Sequence, residues 1–169
     1  MIKNYFFFTL FFIFFFNPTA NSNQNIAFID INLILELTNF GKKITNEIDL
    51  LNNKTIDQIN NMKKNLNILS DEINNNKNVV SKDVLDEKIR LLNKNIKSFN
   101  IEKDNLLEIF NKTKIEKKND FLLKITPIIK DYMSNNSIDF LIEKNNIFVG
   151  RDKYNITEDI INEINNKIR

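Results

Sequence analysis

The chain has 169 residues, with two Gly, two Pro, and no Cys, His or Trp. This composition excludes disulfides, the usual zinc sites, and nucleophile pairs that need His or Cys. Two glycines are also too few for the phosphate-binding loops of nucleotide enzymes. The formal net charge of +2 lacks the basic excess typical of a nucleic-acid binder. We therefore expect no enzyme, no cofactor or metal site, and no nucleic-acid partner.

The first 22 residues are typical of a secretory signal peptide. One cation, Lys3, precedes the almost entirely apolar run Tyr5–Phe16, and small residues follow it. The run is shorter than the roughly 20 residues that a membrane-spanning helix needs. We expect cleavage after Ser22, with Ala20 as the second choice. An uncleaved signal that anchors the protein is the alternative.

A short strand and a long helical region are predicted next. Residues 25–31 are rich in β-branched and aromatic side chains, as in a buried strand. Asn32 is a plausible helix N-cap. We interpret Asp30 as a structural cap or a contact within the base, and not as a catalytic acid. From Leu33 to about Tyr132 the pattern is helical almost throughout.

Two apolar stripes separated by a polar turn predict an antiparallel helical hairpin. Both repeat at spacings of three and four residues, as in a coiled coil. Residues 74–78 are the predicted turn, and Ser81 can cap the second helix. Roughly thirty residues per helix give an arm of about 45 Å. The stripes comprise Ile44, Ile48, Leu51, Thr55, Ile59, Met62, Leu66, Leu69 and Ile73, and then Leu85, Ile89, Leu92, Ile96, Phe99, Lys103, Leu106 and Phe110.

The end of the chain predicts a small β body. Residues 138–144 and 147–150 are strand candidates around a hairpin turn at Asn145-Asn146. Thr157 is the predicted N-cap of a last amphipathic helix, residues 158–168. Three short strands and one short helix make a small body, and self-association is the natural way to cover them.

The second long helix has two irregular features on its way back to the body. Residues 113–120 are weakly apolar, which predicts fraying or a bend, and Pro127 predicts a kink without a stop. The expected fold is α+β and mainly α. In it, a long hairpin arm, residues 44–120, extends from a body made of residues 23–43 and 121–169.

Several short motifs, in their order and spacing, carry a resemblance that covers essentially the whole mature chain. After the signal peptide they are Ala27-Phe28-Ile29-Asp30, Gly41-Lys42-Lys43, the long hairpin, Pro127-Ile128, Phe140-Leu141-Ile142, Ile147-Phe148-Val149 and Ile156-Thr157. This layout resembles the Skp/OmpH family of periplasmic chaperones. The resemblance implies a jellyfish-like homotrimer with helical arms around a cavity. It also implies an ATP-independent holdase that binds unfolded outer-membrane proteins in the periplasm and prevents their aggregation.

The resemblance and the residue pattern together suggest two sets of site residues. The first set would contact clients or lipid headgroups from the arm, although an ordinary solvated helix face is the alternative for its cations. It comprises Lys77, Lys82, Lys88, Arg90, Lys94, Lys97, Phe99 and Phe110. The second set would form the trimer body and comprises Ile26, Phe28, Ile29, Phe140, Leu141, Ile142, Phe148 and Val149.

The charge distribution departs from the strongly basic arms that the family implies. Residues 42–131 contain 18 Lys or Arg against 14 Asp or Glu, a net of +4, and the rest of the mature chain has a net of −3. Such weakly basic arms attract acidic clients or a lipid surface at low salt, and less so under screening. The alternative function is a structural or adaptor coiled coil of the cell envelope, anchored by an uncleaved signal.

Overall fold

The computed structural model of the protein describes residues 25–168, so the predicted signal peptide, residues 1–22, lies outside the described part of the chain. The fold is α+β and mainly α, as the sequence predicts. Two long helices form a hairpin, and the short elements gather at its base. The elements in chain order are β1 (Ile26–Ile29), α1 (Ile31–Leu37), α2 (Asn39–Asn76), α3 (Lys82–Asn135), β2 (Phe140–Glu143) and α4 (Thr157–Lys167).

Helix α2 presents the predicted stripe to α3, whereas α3 follows its own prediction less closely. All nine predicted stripe residues of α2 are buried or half-buried, which confirms the heptad interpretation of that helix. In α3, Ile89 and Ile96 are each 40% exposed. Lys88 and Asn95 are half-buried in their place. The predicted position of these two isoleucines in the seam is therefore wrong, because the observed seam contains a stutter: Lys103, Phe99 and Asn95 follow one another at two successive steps of four residues.

The turn at the arm tip begins later than predicted. Helix α2 continues through Asn76, whereas the predicted turn covered residues 74–78. The Asn76 carbonyl accepts hydrogen bonds from the amides of Val79 at 2.9 Å and Val80 at 3.2 Å, which closes the turn. Ser81 occupies the predicted N-cap position of α3, but its side chain makes no capping hydrogen bond.

Helix α3 is continuous over 54 residues. The predicted fraying of residues 113–120 is therefore wrong, and a bend there stays a prediction. Lys117 in this segment forms an ion pair with Glu47 of α2, which joins the two helices. Pro127 lies inside the helix and does not end it, as predicted. A kink at Pro127 stays a prediction.

The hydrophobic core lies at the base of the hairpin, where four helices meet. Ile34 of α1, Ile125 of α3 and Ile164 of α4 are completely buried. Phe121 of α3 stacks on Phe40 of α2, with 5.6 Å between the ring centroids. Full burial of such a side chain contributes about 1.5–3 kcal/mol to stability. The base is therefore the best-packed part of the described chain, and it fixes how the arm leaves the body.

The sheet is parallel and two-stranded, which differs from the predicted β-hairpin. Strands β1 and β2 pair with Ile26 opposite Phe140 and with Ile29 opposite Glu143. Residues 147–150 do not form the predicted strand. The predicted antiparallel pairing across Asn145-Asn146 is wrong.

Local turns explain why the hairpin does not form. After β2, residues Lys144–Asn146 make a 3₁₀ turn, which the Ile147 amide closes on the Lys144 carbonyl at 3.0 Å. A second 3₁₀ turn, Asp152–Tyr154, leads towards α4. The Ile156 amide then donates to the Phe28 carbonyl at 3.1 Å, so this segment borders β1 opposite β2. Within residues 25–168, the outer edge of β2 has no strand partner.

Asp30 and Thr157 connect β1, α1 and α4. Asp30, and not the predicted Asn32, is the N-cap of α1, since its carboxylate accepts a hydrogen bond from the Leu33 amide at 3.0 Å. The Asp30 amide donates to the Thr157 hydroxyl at 3.0 Å. That hydroxyl donates to the Asn155 side-chain oxygen at 2.6 Å. Thr157 is therefore the first residue of α4 and not its predicted N-cap, because its hydroxyl serves the connection to β1.

A sharp bend at Thr38 separates α1 from α2. The Thr38 hydroxyl donates to the Ile34 carbonyl at 2.8 Å and accepts from the Gly41 amide at 3.0 Å. A Cβ atom at Gly41 would lie 1.9 Å from the Leu35 carbonyl oxygen. A side chain does not fit at this close approach of two backbone segments. The bend therefore requires glycine at this position.

None of the helices within residues 25–168 combines the length and the apolar character needed to cross a membrane.

We predict that Gly41→Ala lowers the free energy of unfolding by about 2–4 kcal/mol, because the added Cβ overlaps backbone atoms that cannot move independently. Denaturant unfolding followed by circular dichroism at fixed protein concentration measures the loss. Gly150→Ala is the matched control, since its Cβ would meet the Phe28 ring at 3.1 Å and a ring can shift. Equal losses in the two variants would contradict the prediction.

Candidate functional site

The body presents an exposed apolar surface beside the sheet. Phe148 is fully exposed and Val149 is 81% exposed, which is unusual for adjacent apolar residues. Phe140 of β2 is 53% exposed. Next to them lies a groove of about 460 Å³. Its lining is mainly apolar and comprises Ile26, Ala27, Phe28, Ile142, Ile147, Val149, Gly150, Arg151 and Tyr154.

Charged side chains are scarce along this groove. Arg151 is the one charged side chain that lines the groove. The unpaired edge of β2 presents backbone donors and acceptors, which favour addition of another strand. Such an edge with apolar side chains around it is typical of a protein–protein contact. We define residues 140–143 and 147–149 as the body edge.

The structure divides the predicted trimer-body residues into two groups. Phe28 and Ile29 are buried within the chain, where they support the sheet and the core. Leu141 is half-buried against the core. The remaining residues of the set are exposed and could contact another molecule. They are Ile26, Phe140, Ile142, Phe148 and Val149.

The predicted cations lie at the arm tip, as the sequence indicates. Lys77 is in the turn, and the others follow in the first four to five turns of α3. Five of the six are exposed and Lys88 is half-buried. Asp83, Asp86 and Glu87 lie among them, so the tip carries charges of both signs. The six cations are Lys77, Lys82, Lys88, Arg90, Lys94 and Lys97.

The two predicted aromatic contacts lie at different depths of the arm. Phe99 is half-buried beside an open groove between α2 and α3. Phe110 is also half-buried, but it packs against the core cluster at the base. The Lys114 ammonium lies 6.0 Å from the centre of the Phe110 ring. Phe99 is therefore the more accessible of the two.

Asp30 is a structural residue of the base, in agreement with its interpretation as a cap. The hydrogen bond from the Leu33 amide is the main reason why the pKa of Asp30 lies below its ordinary value of 3.8. Burial opposes this shift, and the Lys144 ammonium, 3.4 Å from the carboxylate, adds to it. The ionised carboxylate thus holds the end of β1, the start of α1 and the turn after β2 together.

A second polar contact joins α3 to α4. The Tyr132 hydroxyl donates to the Asp159 carboxylate at 3.1 Å. Burial of Tyr132 raises its pKa, and the neighbouring Asp159 contributes to the shift. Lys167 lies 3.6 Å from Asp131 and 3.5 Å from Glu163, and so bridges the same two helices. These contacts hold α4 against α3.

Sequence reasoning missed two structural features of the site. The first is the hydrogen bonding between Asn155 and Thr157, because an Asn two residues before a Thr also occurs in many unrelated turns. The unpaired edge of β2 follows from parallel pairing with β1, which neither strand reveals by itself. Residues 25–168 contain no cluster of three or more acidic side chains arranged to hold a metal ion.

The described chain is a long two-helix arm on a small body, with an exposed apolar surface beside its sheet. Comparison with known proteins gives the family. Residues 25–164 match the family model described as "Outer membrane protein (OmpH-like)". The chain therefore belongs to the OmpH-like family.

A solved structure shows the same fold. The crystal structure of an OmpH-like protein from Caulobacter crescentus CB15 matches with a TM-score of 0.75 and 9% sequence identity. The match covers 86% of this chain and 86% of that chain. No curated protein sequence matches the chain significantly. The likeness at this identity concerns the fold alone.

We predict a pH dependence from Asp30. Its depressed pKa means that the ionised carboxylate stabilises the fold above about pH 4, and that this contribution is lost as the pH falls through the folded-state pKa. The unfolding free energy of the parent should therefore exceed that of Asp30→Asn at pH 6, with a gap that shrinks towards pH 3.

Lys144→Gln serves as the control for this prediction. It removes the ion pair and leaves the hydrogen bond from the Leu33 amide, which is the larger cause of the pKa shift. Most of the pH-dependent gap between parent and Asp30→Asn should persist in the Lys144→Gln background. A gap that is constant from pH 6 to pH 3 would contradict the assignment.

Proposed function

We propose that the protein is a holdase chaperone of the periplasm, which binds unfolded outer-membrane proteins without ATP and without catalysis and prevents their aggregation. The two-helix arm carries the proposal, since 38 residues of α2 extend about 57 Å and bury little beyond their own seam. Membership of the OmpH-like family supports it. So does the description of the Caulobacter protein as a candidate outer membrane chaperone.

The body edge supports a homotrimer as the working form. Phe148, Val149 and Phe140 expose apolar surface that a second copy of the chain would remove from water. The unpaired edge of β2 would be covered in the same contact. Three arms would then leave one assembled body and surround a cavity between them.

The arms would hold a client through many weak contacts. An unfolded barrel protein exposes alternating apolar side chains and unpaired strands, which aggregate readily. Several exposed apolar side chains along the arm could contact such segments, and their joint action provides avidity. They include Leu50, Ile56, Ile68, Ile101, Ile109, Ile115 and Leu123.

The arm tips would make a weaker, peripheral contact with membrane lipid. Val79 is 83% exposed in the tip turn, and Lys77 and Lys82 lie on either side of it. The other tip cations would add attraction to anionic headgroups or acidic client segments, which acidic neighbours and salt would reduce. Location in the periplasm depends on the predicted signal peptide, residues 1–22, and on its cleavage.

The test of the proposed function uses a denatured outer-membrane barrel protein diluted from urea. We expect an equimolar amount of the mature trimer to suppress light scattering by the barrel protein without added nucleotide. Native mass spectrometry of the exported form would give the oligomeric state and the position of signal cleavage. Unchanged scattering, together with capture of one defined envelope protein, would favour the adaptor function.

We predict that the double variant Phe148→Asp/Val149→Asp dissociates the trimer and leaves the chain folded, because both side chains lie outside its own core. Native mass should fall to that of one chain, with helicity within about 10% of the parent value, as expected for surface substitutions. Val79→Asp is the matched control, since that residue is equally exposed but lies at the arm tip. Dissociation by both variants, or by neither, would exclude the body edge as the interface.

A further inference from the structure

The tip half of α3 carries two overlapping stripes that could face α2. In the structure, Lys88 and Asn95 are half-buried and Ile89 and Ile96 are each 40% exposed. The alternative stripe exchanges each polar residue for the isoleucine that follows it. The observed stripe comprises Leu85, Lys88, Leu92, Asn95 and Phe99, and the alternative comprises Leu85, Ile89, Leu92, Ile96 and Phe99.

The two stripes differ by a small rotation of the helix. Successive residues are about 100° apart around an α-helix, and the two stripes share three of their five members. The mean direction of the alternative stripe is therefore only about 40° from that of the observed stripe. Both stripes have spacings of three and four residues, although only the alternative stripe meets Lys103 without a stutter.

The seam at this height is incompletely filled. A groove of about 420 Å³ opens between α2 and α3 on the side of Asn95, and Phe99 forms one of its walls. Rotation that brings Ile96 towards the seam moves Phe99 towards this groove. The groove is lined by Met62, Asn65, Leu66, Asn95, Ser98, Phe99 and Glu102.

The half-buried polar pair also favours an alternative. Lys88 takes part in none of the ion pairs between described residues, so its partial burial brings no compensating charge contact. A rotation would return Lys88 and Asn95 to water and cover Ile89 and Ile96. Burial of the two isoleucines and the return of the two polar side chains to water would both favour the rotated helix.

Rotation can be confined to the tip half of the arm. At the base, Phe121 is buried and stacked, which fixes the orientation of α3 there. Lys103 occupies a seam position between the two halves, and its ammonium lies 3.4 Å from Asp104. A long flexible side chain at this position adapts to either orientation.

We propose that the tip half of α3 switches between two seam registers, one that exposes Ile89 and Ile96 and one that buries them against α2. The switch is a property of the single arm and does not depend on the chaperone function. It would change how much apolar surface the arm presents without unfolding either helix. One register places Lys88 and Asn95 in the seam, and the other places Ile89 and Ile96 there.

The test uses a fluorescent probe at the seam. The protein has no Trp, so Ile96→Trp introduces a single indole at a position of the alternative stripe that is 40% exposed in the observed register. Adding Asn95→Asp places a charge in the observed seam and drives α3 into the other register, where the indole turns towards α2. We expect acrylamide quenching of the mature chain to fall about two-fold as the population shifts. Unchanged or increased quenching would overturn the proposal, since a static seam only loosens around a buried charge.

Two further variants test whether apolar burial drives the switch. Ile89→Lys removes apolar gain from the second register, so Asn95→Asp should no longer protect the indole in this background. Leu91→Lys is the matched control, because this residue is 48% exposed and belongs to neither stripe. Protection that persists in the first background, or disappears in the control, would also overturn the proposal.

Discussion

The packing of four helices at the base of the arm is the constraint on which the rest of the structure depends. A two-helix hairpin in water buries one stripe on each helix and has no other source of rigidity. In this protein Ile34, Ile125 and Ile160 come from three different helices and are completely buried together. Their packing fixes the position at which the arm leaves the body. The bend at Thr38 and Gly41 is what brings the first of these helices into the cluster.

Apolar side chains at the base lie in two different environments, one buried and one exposed to water. Isoleucine side chains fill the core on the arm side of the sheet, whereas the body edge keeps apolar groups in contact with water. Polar contacts at the junctions, such as that between Asp30 and Thr157, orient these elements without adding apolar area. The described chain therefore buries one apolar region in its own core and leaves another in contact with water. Exposed apolar patches are uncommon on monomeric proteins and often mark contact sites.

The sequence predicted the features that local periodicity encodes. The stripe from Ile44 to Ile73 repeats at steps of three and four residues with one stutter, and the structure buries or half-buries every member. In α3 the regular heptad that includes Phe110 continues to Ile89, whereas the observed seam at Lys88 requires a stutter, which periodicity alone does not predict. Asp30 and Asn32 are both good N-caps by residue type, and only the Leu33 contact distinguishes them.

The pairing of β1 with β2 could not be predicted from the sequence for a different reason. Each strand has four residues, and four residues carry too little pattern to choose a partner or a register. The residue pattern after Phe140 is equally compatible with a β-hairpin. The hairpin partner predicted for β2, residues 147–150, is wrong, because β2 pairs with β1. The client, lipid and trimer contacts stay predictions, because they involve other molecules. The tip cations illustrate this, since their exposure fits both a binding surface and a solvated helix.

The parallel sheet also constrains the order in which the protein can fold. Asn25 and Asp139 are hydrogen-bonded neighbours at 2.9 Å, although 114 positions separate them in sequence. During synthesis the strand β1 is made first, and its partner β2 follows only after both long helices. The hairpin between the two strands consists of contacts between the two adjacent helices, which bring the distant strands together at the base. The sheet can therefore close only after the arm has been made.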